Sequence, residues 1–548
     1  MTQNDVIAQV RGLNVDFGEG ESLHHVVRNI SFTIRRGEAV GLVGESGSGK
    51  SVTVRTLLGL YADDEHVHAE EFNLFGESTI GYRDKDWRNI RGSRIGFVLQ
   101  DALTSLDPLK TIGYQVDEAL NAHGKMDRKK SAEKVVELLD EVGIPQPRIR
   151  QNQYPHELSG GLRQRALIAG AVADDPALII ADEPTTALDV TVQAQVLNLL
   201  KSRKEEGNAL VLVSHDLAVV ASVCDRILVM KNGELVEEGS SEQILHHPQQ
   251  EYTKLLLAAV PSARSRGRRL SSIKHETLPQ KTIDYDRNLL HAEHVGKTYH
   301  SHHGGTVTAV QDAGVDLYRG ETLGIVGESG SGKSTLAKIL AGLVEPNEGT
   351  VTLEGEAWSP IPERRRRSRR QKIQVVSQDP ISSFDPRYSV SKIIAEPLKV
   401  QKKYTKDEIR RKVDESLDLV QLPREYADYS PNRLSGGQRQ RVAIARALAV
   451  NPAVLVADEA VSALDVSIQA QILDLLADIQ AKTQVGIVFI SHDLGVVHHI
   501  ADQVIVMKDG RIVESGDPDQ VFNKPSHPYT KRLIAALPTI PVEGRMPR

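Results

Sequence analysis

The chain repeats itself. GLVGESGSGKS at 41–51 returns as GIVGESGSGKS at 324–334, and LSGGLRQRALIAGA at 158–171 as LSGGQRQRVAIARA at 434–447. IIADEPTTALDVTVQAQVL at 179–197 returns as VADEAVSALDVSIQAQIL at 456–473, and VSHDL at 213–217 as ISHDL at 490–494. The offset is 283 at the first motif and 276 or 277 at the later ones, so a few residues were gained or lost while the order held. Four ordered matches exclude one unrepeated fold and indicate a tandem duplication of a domain of about 260 residues. The expected units are 5–260 and 288–548. Between them, 261–287 is rich in Pro, Ser, Arg and Lys without apolar periodicity, the composition of a flexible linker.

Each copy alternates strand and helix patterns. AVGLV (39–43), ALIIA (177–181) and ALVLV (209–213) are short, continuous and rich in branched residues, as buried parallel strands are. Val190 to Lys204 has apolar residues at 192, 196, 199 and 200, a helical spacing. The expected class is α/β with a central, largely parallel sheet.

Composition narrows the function. A net charge of −6 advertises no nucleic-acid or anionic-membrane surface. The lone cysteine, Cys224, forbids an intrachain disulfide and any cysteine-ligated metal cluster within one chain, and fits a reducing compartment. The first residues lack the pattern of a signal peptide, and no apolar run approaches the ~18–20 residues of a spanning helix. Membrane work would require another chain.

The repeated glycine-rich segments, Gly44 to Ser51 and Gly327 to Ser334, fit G-x-x-x-x-G-K-[ST], each after an apolar strand and before a helical pattern. Such a loop turns backbone N–H groups toward phosphates, and the helix N-terminus adds positive potential. The expected phosphate contacts are Gly44, Ser46, Gly47, Ser48, Gly49, Lys50 and Ser51, and in the second copy Gly327, Ser329, Gly330, Ser331, Gly332, Lys333, Ser334 and Thr335. Lys50 and Lys333 reach the β- and γ-phosphates, and Ser51 and Ser334 bind Mg²⁺. Asp182 and Asp458 end apolar strands, where a carboxylate is placed to hold the same ion. The adjacent Glu183 and Glu459 are then candidate bases for an attacking water.

LSGGLRQR and LSGGQRQR, each beginning 24 residues before the strand-end Asp, resemble the signature of ABC-type ATPases. The resemblance covers nearly the whole chain. It implies two P-loop nucleotide-binding domains, each a RecA-like core with antiparallel β and helical subdomains, closing face to face on two ATP molecules. Ser159, Gly160 and Gly161 would then cap the ATP held by Lys333, and Ser435, Gly436 and Gly437 the ATP held by Lys50. By the same resemblance Gln100 and Gln378 approach Mg²⁺ and the attacking water, His215 and His492 contact the γ-phosphate, and Asp189 and Asp465 cross the interface. Phe17 and Tyr299 occupy the positions of an adenine-stacking aromatic. Leu162 replaces the usual signature Gln, and Ala460-Val461 replaces Pro-Thr after the second Glu, so the two sites need not turn over equally.

QDALTSLDPLKTIGYQVDEAL (100–120), QDPISSFDPRYSVSKIIAEPL (378–398) and the tails HPQQEYTKLLLAAVP (247–261) and HPYTKRLIAALP (527–538) are similar to oligopeptide, dipeptide and nickel importer ATPases. This implies the ATP-hydrolysing motor of an importer, one copy per transporter. It would be peripheral on the cytoplasmic side of the cell membrane, with two permease subunits and an extracytoplasmic binding protein as partners. The competing reading is a tandem ABC ATPase acting on ribosomes; the short linker broken by Pro261 and Pro279 and the His-Pro tails speak against it. A fused sugar importer would carry one degenerate site, which neither copy shows. Glu363 to Arg370 is strongly basic but lacks interleaved aromatics, so it reads as a solvated helix face rather than an RNA platform. His300, His302 and His303 fit no standard metal spacing.

Overall fold

A computed structural model describes residues 5–20, 23–99, 105–124, 126–185, 188–262, 265–274, 276–300, 305–462 and 464–537. Gln100, His302 and His303 lie outside the described residues. The chain divides into two compact units, the first within Met1–Leu257 and the second spanning Ala258–Ala535.

In the first unit a six-stranded sheet runs in the order Glu234–Ser240, Arg226–Lys231, Ala39–Val43, Ala209–Val213, Leu178–Asp182, Ile95–Val98. All neighbours are parallel except the first pair. The three apolar runs singled out in the sequence are its centre, and every residue of the strands Ala39–Val43, Leu178–Asp182 and Ala209–Val213 is buried. Continuous branched side chains are what a strand covered on both faces requires. A second, antiparallel sheet is built on Val6–Phe17, which pairs with His24–Arg35, Glu65–His68 and Glu71–Leu74. Its inward face and the parallel sheet share one apolar core that includes Leu13, Ile34, Leu57 and Trp87. Between Ile95–Val98 and Leu178–Asp182 the chain detours through the helices Ile112–Leu120, Arg128–Glu141 and Gly160–Ala171.

The second unit repeats this plan. Its parallel sheet has the order Ile373–Val376, Val454–Asp458, Gly486–Ile490, Thr322–Val326, Gln503–Lys508, with Arg511–Gly516 antiparallel at the edge. The antiparallel sheet pairs Asp284–His300 with Thr306–Arg319 and Glu348–Leu353. The helical detour consists chiefly of Val390–Val400, Lys406–Leu419 and Gly436–Leu448. Each unit therefore has the expected RecA-like core with antiparallel and helical additions.

Two surface expectations change. Within 261–287, read as a flexible linker, residues 265–274 and 276–283 are fastened to the second unit. Arg269 holds both oxygens of Asp478, at 3.2 and 2.6 Å. Asp474 accepts from the N–H groups of Leu270 (3.1 Å) and Ser271 (3.0 Å) and from the Ser271 hydroxyl (2.6 Å). Leu270 is 1% exposed. Further on, Lys281 Nζ donates to Asp502 and to Gln480. The arginine run is likewise not wholly solvated. Arg366 is buried against Glu345, Arg369 donates to the carbonyls of Ala357 and Leu353, and Arg370 joins Glu363 and the carbonyl of Gly342. Half of the apparent basic face is spent holding the chain. Among the described residues no helix is long and apolar enough to cross a membrane, and no group of three or more His, Cys, Asp or Glu could hold a metal.

Candidate active sites

The P-loop of each unit follows the central strand. Val43 ends Ala39–Val43, the chain turns through Gly44 to Gly49, and a helix begins at Lys50. In the second unit Thr322–Val326 leads through Gly327 to Gly332 into Lys333–Leu340. Gly44 and Gly327 have φ of 153° and 150°, and a Cβ on either would stand 2.2 or 2.3 Å from the carbonyl oxygen of Met230 or Met507. No other residue fits there. Ser46, Gly47, Ser329 and Gly330 form the exposed lip, whereas Ser48, Lys50, Ser331 and Lys333 are buried.

Lys50 Nζ donates to the carbonyl oxygens of Gly44 and Glu45, both at 2.8 Å. Lys333 Nζ does the same to Gly327 (2.8 Å) and Glu328 (2.9 Å). The ammonium is thus held across the mouth of its own loop. A Cβ on Gly47 or Gly330 would meet nothing within 4 Å, and Ser331 Oγ is buried with no hydrogen-bond partner. An open cradle with an orphaned hydroxyl and a lysine across it fits a polyphosphate.

Beside the loop, Ser51 Oγ donates to Asp182 Oδ1 at 3.1 Å, and Ser334 Oγ to Asp458 Oδ1 at 3.3 Å. A hydroxyl and a carboxylate are hard oxygen donors of the kind magnesium takes alongside phosphate oxygens, so the residues fit that ion. Burial pushes both aspartate carboxyls up; the hydroxyl bonds pull down, and the neighbouring Glu183 or Glu459 charge adds to the rise.

Glu183 and Glu459 follow at positive φ, 48° and 50°. Nothing in their sequence announces this backbone strain, which turns each carboxylate toward the end of the adjoining strand. His215 Nδ1 lies 3.3 Å from Glu183, and His492 Nδ1 lies 3.6 Å from Glu459. Burial alone would lower both imidazoles; the hydrogen bond and charge of the facing glutamate overcome it and hold them above the ordinary histidine value. The reciprocal effect of His492, opposed by burial, holds Glu459 low. Gln378 Nε2 donates to Ser462 Oγ at 3.4 Å, and Ser462 Oγ donates to the Glu459 carbonyl at 3.0 Å. Ser462 is thus a site residue that the motif reading overlooked.

The signature residues start helices. Ser159 Oγ caps Gly160–Ala171 by accepting from Leu162 N–H at 3.4 Å, and Ser435 Oγ accepts from Gln438 N–H at 3.3 Å. Gln438 returns the bond, its Oε1 accepting from Ser435 N–H at 2.9 Å, whereas Leu162 has no group to do so. The sequence departure at Leu162 therefore removes half of a capping box. A Cβ on Gly161 would meet Val192 Cγ1 at 2.9 Å, and one on Gly437 would meet Ile468 Cγ2 at 2.4 Å, while Gly160 faces open space and Gly436 nothing nearer than 3.7 Å. Among the described residues no hydrogen bond joins Ser159 or Ser435 to the P-loop of the same unit. Asp189 and Asp465 are N-caps, accepting from Val192 and Ile468 N–H at 3.0 Å each. Phe17 is packed partly into the first core, and Tyr299 is 42% exposed near the end of its strand.

The family model described as "ABC transporter" matches residues 27–186 and 310–462, and "Oligopeptide/dipeptide transporter, C-terminal region" matches 236–286 and 513–547. The chain is 42% identical to the glutathione import ATP-binding protein GsiA of Pectobacterium atrosepticum, over 97% of this chain and 89% of that protein. It is 40% identical to the GsiA proteins of Escherichia coli strain K12 and Salmonella choleraesuis, covering 99% and 100% of this chain and 91% and 92% of theirs. With two P-loops, two signatures and both family regions repeated in one polypeptide, the chain belongs to the ABC transporter ATP-binding family and is an ATPase of its oligopeptide/dipeptide branch.

Proposed function

We propose that the chain is the motor of an importer for small peptides, hydrolysing ATP in both units. The observation that carries this reading is the same set in each unit: a lysine-held P-loop, a Ser–Asp pair and a Glu–His pair. Lys50 and Lys333 bind the phosphates, with the loop N–H groups from Ser46 to Ser51 and from Ser329 to Thr335 around them. Magnesium, held by Ser51 and Asp182 or Ser334 and Asp458, with Gln100 and Gln378 assigned to the same ion by the family resemblance, would neutralise charge on the phosphate oxygens.

Glu183 and Glu459 orient the attacking water and take its proton, and His215 and His492 fix those carboxylates while donating toward the γ-phosphate. Ser159 to Gly161 and Ser435 to Gly437 present helix N-termini to nucleotide, and Phe17 and Tyr299 offer a ring to the base. The proposed domains are 5–260 and 288–548, with 261–287 as the connecting segment.

The peptide class rests on the repeated C-terminal region and on relatives named for import of glutathione, itself a tripeptide. Two permeases and an extracytoplasmic binding protein complete the machine, and through them the chain sits on the cytoplasmic face of the membrane. The test is copurification of the tagged chain from its native membranes with identification of partners by mass spectrometry. Two polytopic permeases, with tripeptide uptake lost on their deletion, support the importer. Recovery with ribosomes and no permease overturns it.

A further inference from the structure

Each unit carries a segment after its last strand that plays no part in the chemistry above, yet one side chain of each reaches the P-loop. Tyr252, on the helix Glu251–Ala258, accepts a hydrogen bond at its hydroxyl from Glu45 N–H at 3.1 Å. Tyr529, on Pro528–Ala535, accepts from Glu328 N–H, also at 3.1 Å. The peptide unit that each hydroxyl holds carries the Gly44 or Gly327 carbonyl, which receives Lys50 or Lys333 at 2.8 Å. From tail to site the path is short: hydroxyl, amide N–H, the carbonyl of the same peptide, lysine ammonium.

The tyrosines themselves are held firmly. Tyr252 is 9% exposed and Tyr529 3%. Lys231 Nζ lies 4.6 Å over the first ring and Lys508 Nζ 5.2 Å over the second. Each helix start is tied to the edge strand by one buried or partly buried glutamate. Glu237 accepts from Gln249 and Gln250 N–H at 2.7 and 3.1 Å; Glu514 accepts from Ser526 and His527 N–H at 2.7 and 3.1 Å. The bond recurs although the local sequences differ: His527-Pro528-Tyr529 in one unit, His247-Pro248 and then Tyr252 four residues later in the other. Tyr252 and Tyr529 stand 277 apart, as do Glu237 and Glu514, so the register follows the tyrosine and not the His-Pro.

We propose that Tyr252 and Tyr529 are positioning residues for the two ATP sites, bracing the first peptides of the P-loop so that Lys50 and Lys333 meet the phosphates. The C-terminal region is on this account a support of the nucleotide site. Removing either hydroxyl takes away a hydrogen bond that restrains a half-buried amide N–H and lets the peptide rotate more freely. Nucleotide affinity should fall while the Glu–His pairs, and hence the rate at saturation, are untouched.

The inference rests on the P-loops being the ATP sites, and the test separates the two. The purified full chain is titrated without magnesium with a fluorescent ATP analogue. Tyr252→Phe should weaken half of the sites by about 5- to 20-fold and leave the other half unchanged. Tyr529→Phe should do the same to the other half, and the double variant should weaken all. Leu256→Ala and Leu533→Ala loosen the same helices but keep the hydroxyls, and should lower Tm without matching that loss of affinity. Tyr→Phe titrations that superimpose on wild type overturn the brace, as does an equal loss of affinity in the leucine variants. Lys50→Ala and Lys333→Ala run alongside: if they lose binding while Tyr→Phe does not, only the brace falls, and if they bind normally, both readings fall.

Discussion

His215 Nδ1 stands 3.3 Å from Glu183 Oε1, each side chain delivered from the C-terminal end of a neighbouring parallel strand. The pair exists because Leu178–Asp182 and Ala209–Val213 lie side by side, and because Glu183 takes a left-handed backbone that aims its carboxylate across the gap. The second unit builds the same pair from Glu459 and His492. A carboxylate so held can position water beside a phosphate without searching for its geometry.

Replacing these carboxylates should stop turnover without stopping binding. Glu183→Gln and Glu459→Gln together should reduce phosphate release by about 10²-fold or more, while equilibrium nucleotide binding stays within a factor of two or so of wild type. Phosphate-release and binding assays on the same preparation check both halves.

The Glu–His pairs also make stability depend on pH. The folded-state histidines titrate above their ordinary value of 6.5, so the stability they contribute is full below it and is lost as pH rises through the raised value. Glu459 is held below 4.5, and its contribution is lost as pH falls through that lowered value. Melting curves of the nucleotide-free protein should fall in Tm from pH 6 upward, and His215→Asn with His492→Asn should flatten that slope.

The second glycine of each signature, Gly161 or Gly437, is needed for space. Gly437→Ala would place a methyl 2.4 Å from Ile468 Cγ2, and Gly161→Ala one 2.9 Å from Val192 Cγ1. Both should destabilise their units by about 1–3 kcal/mol, with Gly437→Ala the worse. Gly160→Ala, facing open space, should leave Tm nearly unchanged. Chemical denaturation of the three variants ranks them.

The capping difference is testable in both directions. Gln438→Leu removes the acceptor for Ser435 N–H and should cost about 0.5–2 kcal/mol. Leu162→Gln supplies one in the first unit and should gain a part of that. Opposite shifts in the denaturation midpoint are the expected result.

Asp474 holds three donors of the connecting segment and is 3% exposed. Asp474→Ala should release residues around Arg268 to Lys274, and limited trypsin digestion should cut there at least severalfold faster than in wild type. Wild-type protein cut as fast as the variant would show that the segment is not docked in solution.

Much of this was readable in the chain and some was not. The P-loops, the strand-end aspartates and the order of elements follow from local patterns, since phosphate loops need glycine at fixed spacing and central strands need continuous apolar runs. What escaped depends on residues distant in sequence. The connecting segment looks soluble by composition, and only Asp474 and Asp478, some 200 positions away, give it a place to bind. The bond from Tyr252 to Glu45 spans 207 residues, so the tail motif gave no hint of the P-loop. Arg366, Arg369 and Arg370 look like their solvated neighbours until the carbonyls and glutamates they satisfy are in view. The strain at Glu183 and Glu459 has no sequence mark, because neither is glycine.

The central claim is that the P-loop of each unit binds one ATP. Counting ATP bound at saturation to the Glu183→Gln/Glu459→Gln chain tests it most directly. Two ATP per chain are expected, falling to one with either Lys50→Ala or Lys333→Ala and to none with both. A single ATP per chain, or two retained after both lysines are replaced, would contradict it.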